Sequence, residues 1–123
     1  MRFKSEQLFL EFEKAPELLQ TICHEFAELS TQMGVKAVVT RVKESIAGSS
    51  GVHEAGRAVD FRDEYAKGKF LYVHEQREKI VNLLNLRYAR KDNKPTCLWH
   101  SFRGGMHHFH IQIAAAEDVY EGH

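Results

Sequence analysis

Apolar residues recur at helical spacing from the start of the chain: Leu8, Phe9 and Phe12 share one side of residues 5–14. Pro16 breaks that run and suits the first turn of a second helix. There Leu19, Ile22, Cys23, Phe26, Leu29 and Met33 keep the 3.6-residue period, and Gly34 supplies a stop. The pattern then changes. Residues 36–42 are rich in β-branched side chains and read as a strand, followed by a polar loop over 43–52 that holds Gly48, Ser49, Ser50 and Gly51. Residues 57–62 alternate, which puts Ala58 and Asp60 on one strand face and Val59 and Phe61 on the other. Residues 63–70 are polar, contain Gly68, and read as a loop at the rim of a site. Helical periodicity returns over 73–90, with Ile80, Val81, Leu84 and Tyr88 inward and a Glu/Arg/Lys face outward. After a turn at Asn93-Lys94-Pro95, residues 96–102 and 107–113 read as a hairpin closed by Gly104-Gly105. The tail, 114–123, has no strong periodicity.

Helices, two strands, a helix and a hairpin, in that order, predict an α+β fold: a small, mainly antiparallel sheet flanked by helices. At 123 residues, without repeats or linkers, the expectation is one domain over 1–123 with a core of its own. Hydrophobic residues make up 43% and charged residues 28%, the balance of an ordinary globular chain. Lys plus Arg and Asp plus Glu number 17 each, so there is no electrostatic footprint for nucleic acid or an anionic membrane. Cys23 and Cys97 fall on a predicted helix and a predicted strand without CxxC spacing, which predicts buried, reduced thiols. Residues 1–7 reach Glu6 before any apolar run long enough for a signal peptide, and no run approaches the ~20 apolar residues of a membrane helix. The reading is a product folded in a cytoplasm, a monomer, with no membrane partner.

Histidine changes the picture. There are eight, and His100, His107, His108 and His110 fall within one short stretch, while His24, His74 and His123 read as surface residues. In the last strand the period of two puts His108, His110 and Gln112 on one face, and Phe109, Ile111 and Ile113 on the other. The apolar set belongs to the core, so the polar set faces a cleft or solvent; His107 falls on the core side by parity. Upstream, Ala55-Gly56 offers a turn between His53 and Asp60, so His53 sits at a loop end and Asp60 on the strand that follows. A sheet that sets Asp60 beside His110, with His53 folded over them, gives two imidazoles and a carboxylate. That donor set suits one zinc ion with an open fourth position, whereas structural zinc sites are usually closed by four protein ligands. Zinc lowers the pKa of bound water to ~7, which yields a nucleophile near neutrality.

The stretch Gly51-Val52-His53-Glu54-Ala55-Gly56-Arg57-Ala58-Val59-Asp60-Phe61 resembles the SxHxxGxAxD signature of D-Ala-D-Ala carboxypeptidases and phage endolysins. Those zinc peptidases share a superfamily with lysostaphin-type enzymes and the hedgehog signalling domain. His108-Phe109-His110 resembles that superfamily's HxH element, and the likeness spans residues 40–113. It implies a hedgehog/D-Ala-D-Ala-peptidase-like fold with His53, Asp60 and His110 as zinc ligands. It implies also a zinc metallopeptidase that hydrolyses a peptidoglycan stem peptide, as carboxypeptidase or endopeptidase. The family's serine two places before the first histidine is Gly51 here, with Ser50 and Ser49 displaced from it; Ser50 is the candidate for substrate contact. Many members carry an acidic base three residues before the last ligand, and here that residue is His107. Strand parity favours His108 as the base, with His107 second, while Glu54 points away. Arg41 stands where relatives often carry an arginine that engages substrate, and a guanidinium can grip a terminal carboxylate with two hydrogen bonds. Trp99 and His100 lie on the neighbouring strand, where both would wall the cleft, although the core is the expected place for Trp99. The small size fits a phage or prophage lysin acting on the cell wall after release or as part of a virion. The rival reading is a non-catalytic, zinc-binding hedgehog-like domain serving as a virion structural or interaction module.

Overall fold

The structure, a computed structural model, describes residues 1–42, 57–101 and 103–114. Strand β1 (Arg2–Phe3) leads into helix α1 (Glu6–Glu13), whose first turn is closed by Ser5, its side chain accepting the Leu8 N–H. Helix α2 (Glu17–Gln32) follows Pro16 and buries Leu19, Ile22, Cys23, Phe26, Ala27 and Ser30. It ends at Gly34, which takes φ +79° and lets the Val35 N–H return to Ser30 O at 2.9 Å. Then come β2 (Val38–Arg41), β3 (Ala58–Arg62), β4 (Glu64–Ala66), β5 (Lys69–Phe70), α3 (His74–Arg87), β6 (Cys97–His100) and β7 (His108–Gln112).

Five strands form one sheet in the order β1-β2-β3-β7-β6, antiparallel except for the β1–β2 pair. The architecture is therefore α+β with a mainly antiparallel sheet. One face carries Val59, Phe61, Phe109 and Ile111, all fully buried. Phe26 of α2 stacks on Phe61 at 4.2 Å between ring centres and meets Phe109 edge-on at 5.0 Å; Tyr72 packs on Phe109 at 4.8 Å. Cys23 and Cys97 are free thiols inside this core, and burial pushes both up, Cys97 to about 12. Among the described residues, no helix is long and apolar enough to cross a membrane.

Three features differ from the sequence reading. Residues 63–70 are not a loop: β4 and β5 form a hairpin in a second sheet, turning through Gly68 at φ +74°. Arg2–Phe3 pairs in parallel with Val38–Val39, a strand too short to leave a periodic signal. Trp99 is half-buried, not enclosed, because its indole lies at the rim of the core against Phe70 and His107. Strand β6 is an edge of the sheet, and Asn85 of α3 meets it: its side chain accepts the Thr96 and Cys97 N–H groups at 2.8 Å each and donates to Cys97 O at 2.9 Å.

Candidate functional site

Antiparallel pairing of β3 with β7 sets Asp60 opposite His110 and Arg62 opposite His108. Residues alternate across a sheet, so Val59, Phe61, Phe109 and Ile111 fill the core while Asp60, His108, His110 and Gln112 project on the reverse face. Asp60 and His110 are only 4% and 8% exposed. Asp60 Oδ1 lies 2.9 Å from His110 Nδ1, and Asp60 Oδ2 lies 3.5 Å from His108 Nε2.

The far side of each imidazole fixes what it presents. Gln112 donates through Nε2 to Pro95 O at 3.0 Å, which turns its Oε1 to His110 Nε2 at 3.1 Å. A carboxamide oxygen only accepts, so His110 Nε2 must carry the hydrogen there. Neutral His110 therefore aims the Nδ1 lone pair at Asp60 Oδ1. His108 Nδ1 faces Met106 O at 3.3 Å and its Nε2 faces Asp60 Oδ2 at 3.5 Å, and a neutral ring can donate to only one of these two acceptors. With His110 donating at Nε2, a second proton or a metal ion bridges its Nδ1 to the Asp60 carboxylate.

Arg41 reaches this face through a break in the pairing. Val39 is opposite Phe61, but Arg41, not Thr40, is opposite Asp60, so β2 carries one extra residue. Without that bulge Arg41 would share the core face with Val39. With it, Arg41 Nη1 stands 3.9 Å from Asp60 Oδ2, an ion pair without a hydrogen bond at that distance. His100 closes the other side, its ring 4.8 Å from that of His108 and 5.4 Å from that of His110. Its Nε2 is buried and has no hydrogen-bond partner among the described residues. Burial, then the neighbouring His108 and His110, hold this imidazole below its usual pKa and favour its neutral form.

His107 is elsewhere. Its ring stacks on Trp99 at 4.2 Å and its Nδ1 pairs with Glu64 Oε1 at 3.0 Å; the same oxygen accepts the His107 N–H at 2.8 Å. Glu64 also accepts the Gly68 N–H, and these hydrogen bonds lower its pKa to about 2. Beside it, fully buried Asp63 accepts from Tyr72 N at 2.9 Å and Trp99 Nε1 at 2.8 Å. Arg77 Nε sits 3.0 Å from Asp63 Oδ2, angled off the line of a hydrogen bond, with the guanidinium over the Phe70 and Trp99 rings. Glu64 thus braces His107 just before β7, while Asp63 ties Trp99 of β6 to Tyr72 and Arg77, roles the sequence reading missed when it took residues 63–70 for a loop. The adjacent acidic pair Asp63-Glu64 ahead of the Lys67-Gly68 turn was the available signal.

The structure brings together Asp60, His110, His108 and Arg41 and sets His107 apart from them. His53 and Ser50 lie outside the described residues. Among the described residues, no group of three or more His, Cys, Asp or Glu side chains is arranged to hold a metal ion. Asp60 and His110 fit as two ligands of such an ion: donors ~2.0–2.1 Å from a tetrahedral zinc stand roughly 3.3 Å apart, a small opening from the observed 2.9 Å. The chain matches no family model, no curated protein and no solved structure.

Proposed function

We propose that this chain is a zinc-dependent peptidoglycan peptidase, a D-Ala-D-Ala carboxypeptidase or stem-peptide endopeptidase on a hedgehog-like fold, of the kind a phage lysin would use against cell wall. One observation carries the reading: Asp60 and His110, the two ligands the sequence motifs single out on strands, face each other with carboxylate oxygen and imidazole Nδ1 2.9 Å apart. His53 would complete the set. Bound zinc would polarise a peptide carbonyl and make water nucleophilic near neutrality.

The chain's own groups then divide the work. His108, half-buried beside Asp60, takes the proton, since a base must stand within reach of the reacting atoms. His107, engaged by Glu64, is the second candidate. Arg41 lies where a substrate carboxylate would approach, and Ser50 is a further candidate for substrate contact. A second reading, a non-catalytic zinc-binding domain of a virion or an interaction module, is favoured by position 107: an acidic base in many of the enzymes it resembles, it is here a histidine held by Glu64.

The test is the metal content of the purified protein beside His53→Ala, Asp60→Ala and His110→Ala. One zinc per chain, lost in all three, supports the site; no zinc in the parent after zinc is added back overturns it. Digestion of peptidoglycan by the parent, abolished in His108→Ala, then separates enzyme from inert domain.

A further inference from the structure

Gln112 belongs to neither the ligand set nor the base, yet its amide is fixed at both ends. Its Nε2 donates to Pro95 O at 3.0 Å, and a backbone carbonyl can only accept, so the amide cannot turn over without losing that bond. Its Oε1 is thereby committed to His110 Nε2 at 3.1 Å. An imidazole that must donate at Nε2 offers its lone pair at Nδ1, and Nδ1 is the nitrogen that faces Asp60.

We propose that Gln112 is a positioning residue of the metal centre, selecting the His110 tautomer in which Nδ1 is the ligating nitrogen. This rests on the zinc reading above. Metal-bound histidines generally donate their other N–H to a fixed acceptor, which sets the ring's orientation and raises its basicity. Gln112 occupies that place two residues along the same strand face, and Pro95, at the entry to β6, holds it there. The selectivity is for a borderline cation that takes imidazole nitrogen together with carboxylate oxygen, zinc before magnesium or calcium.

The experiment compares the full-length parent with Gln112→Leu and Gln112→Glu. Zinc affinity is read by competition with a chelator, and the His110 tautomer by nitrogen-15 NMR of the metal-free protein. At alkaline pH, where the ring carries one proton, the parent should show the Nε2–H form, and Gln112→Leu a mixture of tautomers with zinc affinity about 10- to 100-fold weaker. Gln112→Glu, which keeps an acceptor at that place, should bind zinc as well as the parent or better. Equal zinc affinity in parent and Gln112→Leu, both folded by circular dichroism, overturns the role of Gln112 alone. A parent that binds no zinc overturns the underlying reading and this inference with it. Should Gln112→Leu fail to fold, Gln112→Glu decides: a tautomer mixture or weakened zinc binding there overturns the proposal.

Discussion

Asp60 and His110 are 50 residues apart in the chain, and their side chains meet at 2.9 Å because β3 and β7 are neighbours with those two residues in register. The contact joins a carboxylate to a ring nitrogen whose opposite side is already committed as a donor. A proton or a metal ion can bridge the two, and that makes the contact sensitive to small chemical changes.

Asp60→Asn is the sharpest of these. The new amide can donate to His110 Nδ1 and satisfy its lone pair without any ion. The metal-free variant should be at least as stable as the parent, within about 1 kcal/mol or above it, in urea unfolding. Added zinc should raise the melting temperature of the parent and leave the variant's unchanged. A zinc-dependent rise in both would remove Asp60 from the ligand set.

His100 carries a buried nitrogen without a partner among the described residues, a state that costs about 1–3 kcal/mol. Phenylalanine keeps the ring and removes the polar atom, so His100→Phe should leave the urea midpoint unchanged or move it upward. A fall of about 2 kcal/mol would show that the nitrogen is engaged in the native protein.

Asp63 is the reverse case. It is fully buried and serves Tyr72 N, Trp99 Nε1 and Arg77 at once. Asp63→Ala strands the guanidinium and two N–H groups, and should cost about 3–5 kcal/mol in urea unfolding. Indole fluorescence should report the same change, since the chain's one tryptophan loses its acceptor.

Glu64 gives the fold an acid limit. Its carboxyl falls from 4.5 to about 2 on folding, first through the Gly68 N–H and then through His107. A depressed folded value means the stabilisation is complete above 4.5 and is lost as pH falls toward about 2. The parent should therefore exceed Glu64→Gln in urea midpoint at pH 6, and the two should converge over that interval. A gap independent of pH would show that the contact acts by shape and not by charge.

How much of this was legible in the sequence follows from the length scale of each feature. Alternation in residues 58–62 and 108–112 assigns Asp60, His108, His110 and Gln112 to one face, because the side-chain period of a strand is fixed by its backbone. Both long helices and the antiparallel hairpin were visible for the same reason. Arg41 was not placed by that rule: a single extra residue in β2 reverses its face, and a bulge has no periodic signature. The Glu64–His107 pairing joins residues 43 apart through a hairpin of two- and three-residue strands, too short to show alternation. His100 beside His108 required the register of β6 on β7, which depends on the turn between them. There Arg103 and Gly104 both take positive φ, not the two glycines that the sequence offered.

The Asn85 side chain does for Thr96 and Cys97 what another strand would do, filling the outer hydrogen-bonding positions at the start of β6. An open sheet edge is a template on which a second molecule's strand can add, and so a nucleus for aggregation. Strand β6 is only four residues long, and Asn85 occupies the backbone groups of its first residue, Cys97. A single carboxamide on α3 thus occupies the backbone groups that a second molecule's strand would have to pair with at the start of β6.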